Sequence, residues 1–193
     1  MATDNLRKRL SKNSDLTTKE INLVTGYFTE QSIPKKTVIL KAGEIAQKAY
    51  YINKGCMRVF YVKEDVEISA YFFTEDMFTN ACESFIGQKP SRHFIEAAED
   101  SEVLSISYNK LEELYTKLPK ANAFFRKMME ERFEAIHNSF TAQILETPEE
   151  RYSNLQKNNP SLINRIPQHQ IATYLGITPI SLSRIRSRLK KKP

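Results

Sequence analysis

The sequence is poor in the residues that build redox and metal centres. Its 193 residues include no tryptophan, two cysteines and three histidines, which are Cys56, Cys82, His93, His137 and His169. The cysteines form neither a disulfide framework nor a metal-ligand spacing, and two thiolates cannot hold an iron–sulfur cluster. We therefore expect buried, unreactive cysteines, isolated histidines and no metal site.

Long apolar runs are also missing. None approaches the ~20 residues that a membrane-spanning helix needs, and the N-terminal "MATDNLRKRLSKNSD" lacks the apolar core of a signal peptide. With 40% hydrophobic and 27% charged residues, the composition is that of a folded, soluble protein. We expect a cytoplasmic protein without membrane association, with room for one domain of about 140 residues and a small module.

Acidic residues are absent after Glu150. The remaining stretch holds nine Lys and Arg residues, so the chain's net charge of +6 divides into +9 after Glu150 and −3 before it. Such an asymmetry is typical of a C-terminal module that binds a polyanion, although a basic face exposed to solvent gives the same count.

The first half of the chain changes its hydrophobic period. Residues 16–31 have the apolar spacing of a helix, whereas residues 33–107 consist of short runs rich in Val, Ile, Tyr and Phe, separated by turn residues. Lys54-Gly55 lies between two such runs and is a hairpin signal. Several short strands at this spacing predict an antiparallel roll or sandwich.

A long amphipathic helix is predicted over residues 120–146. Apolar side chains recur near one stripe of this segment, at Phe125, Met129, Phe133, Ile136, Phe140 and Ile144. The helix would be about 40 Å long, more than a single small domain covers. A narrow aromatic stripe of this length favours a symmetric dimer, and packing along the chain's own roll is the alternative.

Two short helical patterns meet at Gly176 in "IPQHQIATYLGITPISLSRIRSRL". The first begins at Pro167, and Thr178 and Pro179 are suited to open the second. The inward positions are Ile171, Ala172, Leu175, Leu182, Ile185 and Leu189. Two such helices, the second basic on its outer face, predict a helix-turn-helix whose second helix enters the major groove of DNA.

The outer face of the second helix is expected to carry the DNA contacts. Ile180, Ser181, Arg184 and Arg188 are its outward positions. Arg184 lies early on this helix, where an arginine can bond guanine O6 and N7.

At this point the sequence resembles the Crp/Fnr family of bacterial transcription regulators over nearly its whole length. "TVILKAGEIAQKAYYINKGCMRVFYV" is similar to the opening strands of that family's cyclic-nucleotide-binding β-roll, and "QIATYLGITPISLSRIR" to the DNA-binding helices of its short Bacteroidetes-type members. The resemblance implies an α+β fold with an N-terminal antiparallel β-roll (a jelly roll) flanked by helices over residues 1–118. A dimerisation helix over 119–146 and an all-α helix-turn-helix domain over 147–193 would follow. This helix-turn-helix domain would lack most of the β-hairpin wing that many relatives have.

The resemblance also implies contacts for individual residues. His169, Thr178 and Ser181 would touch phosphates, whereas Ile180 and Arg184 would sit at base edges. Relatives often carry Glu at the position of Ile180, which can accept from cytosine N4, whereas Ile offers an apolar contact to a thymine methyl. Lys190–Lys192 would add phosphate attraction that is independent of sequence.

The predicted nucleotide pocket departs from the family pattern. Relatives that bind cyclic AMP hold the phosphate with an Arg-Ser pair and the ribose with Gly-Glu, whereas this chain has Ser91-Arg92 and "TNA", with Glu83 as the nearest carboxylate. Adjacent side chains of an extended strand point to opposite faces, so the reversed order should turn the guanidinium away from the phosphate. We expect no bound cofactor and no cyclic AMP; a different, unidentified effector at Glu83, Ser91 and Arg92 is the alternative.

The sequence as a whole predicts a homodimeric transcription regulator that binds double-stranded DNA. An effector in the roll would bias the dimer helices and thereby move the two recognition helices; the family resemblance adds RNA polymerase as a further partner. The rival reading is a dimeric small-molecule-binding or orphan interaction module whose basic helix docks on acidic protein. No Ser/His/Asp set, metal cluster or Gly-rich phosphate loop is apparent, so we expect no enzyme.

Overall fold

The computed structural model describes residues 3–189, which separate into two units. The first comprises the chain up to Phe60 together with Phe72–Glu130, and the second comprises Tyr61–Tyr71 and the chain from Glu131 on. The first unit is built around antiparallel strands with helices before, between and after them, and the second is mainly helical. The predicted α+β fold class is therefore confirmed.

The strands form two four-stranded sheets within the described residues. The first sheet has the order β1 (Thr29–Ile33), β8 (Ser101–Ser107), β3 (Lys48–Lys54) and β6 (Phe78–Thr79). The second has the order β2 (Val38–Leu40), β7 (Phe94–Ala97), β4 (Met57–Lys63) and β5 (Val66–Phe73). Tyr50 of β3 pairs with Thr79 on one side and Ser105 on the other, which places these three side chains on the same face of the first sheet.

The chain crosses between the two sheets at Gly55. The hairpin predicted at Lys54-Gly55 is wrong, because β3 and β4 on either side belong to different sheets. Gly55 has a φ of +108°, and a Cβ there would lie 2.2 Å from Ser101 Oγ, so the crossing requires glycine. The hairpin of this region instead joins β4 to β5 through Glu64 and Asp65, both in the left-handed conformation.

Four helices of the described chain lie in the first unit: α1 (Asp4–Asn13), α2 (Thr18–Gly26), α3 (Cys82–Gly87) and α4 (Tyr108–Lys117). Helix α2 opens with a capping box, in which the Thr17 hydroxyl accepts from the Glu20 N–H and the Glu20 carboxylate accepts from the Thr17 N–H. The predicted helix over residues 16–31 is too long. The chain after Gly26 turns into β1, whose pairing with β8 overrides the local helical period.

Helix α5 (Ala121–Leu145) begins in the first unit and continues in the second. Its first turns bring Phe124 and Phe125 against Phe78, with ring centroids 6.5 and 6.0 Å away. Both side chains are buried. Phe125 is therefore a core residue of the first unit and does not extend the predicted dimer stripe, because the aromatic cluster around Phe78 absorbs it.

The second unit continues with α6 (Pro148–Asn158), α7 (Pro160–Arg165), α8 (Gln168–Tyr174) and α9 (Pro179–Leu189). Thr147 and Glu150 form a second capping box at the start of α6, where Pro148 is the first helical residue. The core of the second unit includes the buried side chains of Tyr152, Leu162, Ile166, Ile171, Leu175, Leu182 and Ile185. No helix in the described part of the chain is both long and apolar enough to cross a bilayer.

Candidate nucleic-acid interface

Helices α8 and α9 form a helix-turn-helix with Gly176 in its turn. Gly176 has a φ of +69°, which favours glycine, and Thr178 caps α9 by accepting a hydrogen bond from the Ser181 N–H at 3.2 Å. Ile171 of α8 and Leu182 of α9 are buried. The turn, the cap and the inward positions of the two helices follow the sequence pattern.

Side chains from α5 and α6 hold the end of α8. The Arg151 guanidinium donates to the carbonyl of Leu175 through Nε at 3.2 Å and Nη2 at 2.8 Å, and Gln143 Nε2 donates to the carbonyl of Tyr174 at 3.2 Å. These bonds satisfy carbonyls that a helix end leaves without intrahelical partners. No local sequence pattern indicates this role, because Arg151 counts in the sequence only as one of the nine basic residues after Glu150.

The outer face of α9 carries a ridge formed by Ile180, Arg184 and Arg188. These positions are four residues apart and therefore lie one above the other on the helix. All three side chains are exposed, Ile180 to 67%. A groove of about 1040 Å³ lies between this face of α9 and the start of α6.

The two arginines of the ridge differ in their surroundings. Arg188 Nη2 lies 3.1 Å from the Glu149 carboxylate in the first turn of α6. Arg184 makes no ion pair with any residue between 3 and 189. Its five N–H donors are therefore available to a ligand, whereas those of Arg188 are partly used.

The other predicted DNA contacts lie at the N-terminal ends of the two helices. His169 is exposed in the first turn of α8, and Thr178 is exposed immediately before α9. The Ser181 hydroxyl lies 3.0 Å from that of Thr178, so these two contacts form one polar pair. Lys190–Lys192 lie outside the described residues.

Strand β5 is hydrogen-bonded to α8. Thr173 Oγ1 accepts a hydrogen bond from the Ser69 N–H at 3.1 Å and donates to Ser69 Oγ at 3.1 Å. Ser69 is buried, although much of the surrounding hairpin surface is exposed.

Replacing Thr173 with Val should release this hairpin. The change removes both hydrogen bonds between Thr173 and Ser69, at a cost of about 1–3 kcal/mol. Amide exchange of residues 66–70 should then be faster by roughly 5–150-fold. Thr173→Ser keeps the hydroxyl and is the matched control; equal exchange in the Val variant and the wild type would show that the contact does not hold the hairpin.

The predicted effector residues do not converge on one cavity. Ser91 is buried, with its Oγ donating to the His93 carbonyl at 2.8 Å, whereas the Arg92 side chain is 77% exposed and its Nη2 lies 3.3 Å from Glu83. The Glu83 carboxylate also bonds Lys89, and both cations lower its pKa. Ser91 and Arg92 precede β7 instead of lying in it, because the Ser91 hydroxyl bonds the His93 backbone and bends the chain.

A cavity of about 320 Å³ opens between the two sheets of the roll. Its lining includes Leu40, Tyr50, Ala81 and Ile95, and none of the three predicted effector residues. Among residues 3–189 there is also no cluster of His, Cys, Asp or Glu that could hold a metal ion. The roll thus contains a cavity at a place that sequence reasoning did not identify.

The second half of α5 exposes an apolar stripe. Four large apolar side chains on one side of this helix are exposed: Phe133 (73%), Ile136 (47%), Phe140 (64%) and Ile144 (65%). Leu145 (76%) is exposed on a different side. Contiguous apolar surface of this kind marks an interaction site.

Comparison with known proteins finds a domain family that matches the roll and a curated regulator that is similar over most of the chain. Residues 30–117 match the cyclic nucleotide-binding domain family. The curated fumarate and nitrate reduction regulatory protein of Vibrio cholerae serotype O1 is 24% identical over 176 residues, covering 84% of this chain and 69% of that protein.

Solved structures share the fold at low sequence identity. The c-di-GMP-responsive global regulator CLP of Xanthomonas campestris superposes with a TM-score of 0.71 at 16% identity, covering 90% of this chain and 92% of that one. A Crp/Fnr family protein from Eubacterium rectale gives a TM-score of 0.71 at 18% identity, with 94% and 86% coverage. Residues 30–117 thus match the cyclic nucleotide-binding domain family, and the chain is similar over most of its length to Crp/Fnr regulators.

Proposed function

We propose that the protein is a homodimeric transcription regulator that binds a pseudo-palindromic DNA site through α9. The observation that carries this proposal is the exposed ridge of Ile180, Arg184 and Arg188 on the second helix of a capped helix-turn-helix. A recognition helix inserts its N-terminal half into the major groove, where arginine can bond guanine bidentately and an aliphatic side chain can contact a thymine methyl.

The exposed stripe on α5 supports the dimer. A second copy of the same helix is the partner of matching shape and chemistry, since a symmetric pair buries the same apolar patch from both chains. Two recognition helices would then read half-sites about 34 Å apart, one turn of the DNA helix. The regulators of the family are dimers that bind DNA, which supports the same arrangement.

The apolar Ile180 of the ridge favours DNA over an acidic protein as the partner of α9. No carboxylate follows Glu150, so the DNA-facing segment attracts any polyanion, but the apolar Ile180 at the front of the ridge suits a groove floor with thymine methyls. RNA polymerase remains a proposed further partner. A regulator of this kind works where the DNA is, which supports the cytoplasmic location expected from the sequence.

Selection of bound DNA from a random pool tests the proposal. The expected product is a pseudo-palindrome whose affinity exceeds that of scrambled DNA by at least ~10³-fold at fixed salt. Uniform binding to all sequences, or enrichment of none, would favour the rival function of a dimeric module that docks on acidic protein. The selection is run on the full chain, with and without candidate nucleotides.

Cyclic AMP should bind weakly, with a dissociation constant above roughly 100 µM. The family's phosphate contact depends on an arginine inside the roll, and a charge-assisted, bidentate bond of that kind supplies much of the affinity. In this chain Ser91 is buried and Arg92 is exposed and paired with Glu83.

Calorimetry of the wild type and of Arg92→Ala measures this directly. We expect both to give the same weak or absent heat. Micromolar affinity that is lost in Arg92→Ala would show that the arginine turns into the roll when the nucleotide binds, and would contradict the prediction.

A further inference from the structure

We propose that Glu149 competes with DNA for Arg188. The Glu149 carboxylate binds the Arg188 guanidinium in the free protein, so a phosphate must displace it before Arg188 can contact the DNA backbone. This inference rests on the proposed DNA-binding function. It adds to that function a contact within the protein that weakens binding to every DNA sequence.

The ion pair joins the first turn of α6 to the last turn of α9. Arg188 Nη2 lies 3.1 Å from Glu149 Oε2, and the two side chains are exposed to 64% and 28%. Both residues line the groove between the outer face of α9 and the start of α6. Arg188 is thus the more accessible partner, on the face that the DNA backbone approaches.

The neighbouring carboxylate has a different role. Glu150 Oε2 accepts hydrogen bonds from the Thr147 N–H and from the Thr147 hydroxyl, both at 2.7 Å. These bonds belong to the capping box that begins α6. Glu149 and Glu150 are the last two acidic residues of the chain. Since the capping box uses Glu150, Glu149 is the one of the two that binds the recognition helix.

A phosphate that binds Arg188 must come close to Glu149. Charge-assisted N–H···O bonds are about 2.7–2.9 Å long, so the phosphate and the carboxylate would share one guanidinium. Two anions at such a short separation repel each other. DNA binding therefore either breaks the ion pair or brings like charges together, and both outcomes weaken the complex.

The expected effect is moderate because the ion pair is exposed. Surface ion pairs are weak, since water screens the two charges. Removal of the carboxylate should therefore strengthen DNA binding by ~3–10-fold and not by several orders of magnitude. Charges at the rim of an interface mainly change the association rate and the salt dependence. We expect the gain in affinity to be largest at low salt and to shrink as salt rises.

The competition should act on all DNA sequences alike. Phosphate contacts position a protein on the duplex but carry no sequence information. Glu149 should therefore weaken the sequence-independent part of the affinity and leave the base preference of Ile180 and Arg184 unchanged. A weaker phosphate contact shortens the time that the protein spends on DNA without its preferred site.

Glu149→Gln tests this competition in the full chain. The affinities for a scrambled duplex and for a duplex with the selected site are measured at low and at high salt. We expect both duplexes to bind ~3–10-fold more tightly than to the wild type at low salt, with the ratio of the two affinities unchanged. Unchanged affinity for duplexes that the wild type binds would overturn the proposal.

Glu150→Gln is the matched control. It removes the same charge from the same helical turn, and glutamine at this position can still complete the capping box. Because Glu150 makes no ion pair with Arg188 among the described residues, its replacement should change DNA affinity by less than ~2-fold. An equal gain in the two variants would show that only net charge matters, and would contradict the competition.

The Arg188→Ala background shows whether Glu149 acts through Arg188. In this background Glu149→Gln should change DNA affinity by less than ~2-fold, because the two residues would form one coupled pair. A full gain without Arg188 would overturn the proposal. The scrambled duplex requires no base contacts, so these measurements remain readable if selection finds no preferred site; in that case sequence-specific regulation fails and the competition stands. Absence of binding to any duplex would overturn both.

Discussion

The double variant Phe133→Asp with Phe140→Asp should be a monomer at micromolar concentration, where we expect the wild type to be a dimer. Both rings are mostly exposed in the single chain, at 73% and 64%, and a symmetric pairing of α5 would bury four of them. Burial of each ring contributes roughly 1.5–3 kcal/mol, so their loss weakens the dimer by on the order of 6 kcal/mol or more, above ~10⁴-fold. Four carboxylates brought together in the seam add repulsion.

A matched variant separates this effect from added charge. Lys127 and Asn138 are exposed on the side of α5 opposite the stripe, so Lys127→Asp with Asn138→Asp adds two carboxylates without touching it. Sedimentation velocity should show monomer for the stripe variant and dimer for the control. An intact dimer in both would place the interface elsewhere on the molecule.

Loss of the dimer should carry over to DNA binding. A dimer engages two half-sites at once, whereas a monomer engages one and gains nothing from the second. The stripe variant should therefore bind a full palindrome no better than a single half-site. Because Phe133 and Phe140 are mostly exposed in the single chain, circular dichroism of the variant should remain that of a folded helical protein.

Local signals in the sequence were sufficient for the helix-turn-helix. Gly176 in the turn, the Thr178 cap and the inward spacing of Leu182 and Ile185 are requirements of short-range geometry, and the structure meets each of them. The long helix was predictable for the same reason. Its hydrophobic period extends over many helical turns, so the pattern has only a small probability of arising by chance.

Sheet connectivity was not predictable at this level. Lys54-Gly55 carries a turn signal, but glycine is needed there because Ser101 occupies the space that a Cβ would fill, not because β3 and β4 pair. Which strands pair depends on contacts between residues far apart in sequence. A glycine indicates a special backbone conformation, but it does not indicate which strands pair with each other.

Side-chain roles set by tertiary contacts were equally hidden. Arg151 serves as a cap on α8, and Thr173 joins the helix to Ser69 of the hairpin, although both read as ordinary polar residues in the sequence. The cavity of the roll combines residues from separate strands, including Tyr50 and Ile95. Periodicity assigns such residues to the interior but cannot show where the interior leaves space.

Arg184→Ala should weaken binding to the selected DNA site by roughly 1–3 kcal/mol, about 5–150-fold at fixed salt. Arg184 is exposed on the outer ridge of α9 and makes no ion pair with the described residues, so its guanidinium is free to bond a guanine edge. Most of this loss should appear as relaxed specificity at one base position of each half-site, since a missing bidentate contact no longer distinguishes that base.

Two other arginine substitutions serve as comparisons for Arg184→Ala. Arg184→Lys keeps the charge but not the planar fork, so it should lose specificity nearly as Ala does. Arg188→Ala should instead weaken binding to all sequences alike and reduce the slope of log affinity against log salt by about 1, as expected for a phosphate contact. To contact DNA, Arg188 must also give up its ion pair with Glu149, which lies 3.1 Å away. Arg188→Ala should therefore weaken DNA binding less than Arg184→Ala does. If Arg184→Ala shifted the salt slope and left base preference intact, Arg184 would be a phosphate contact, and the base-reading role would pass to another residue of α9.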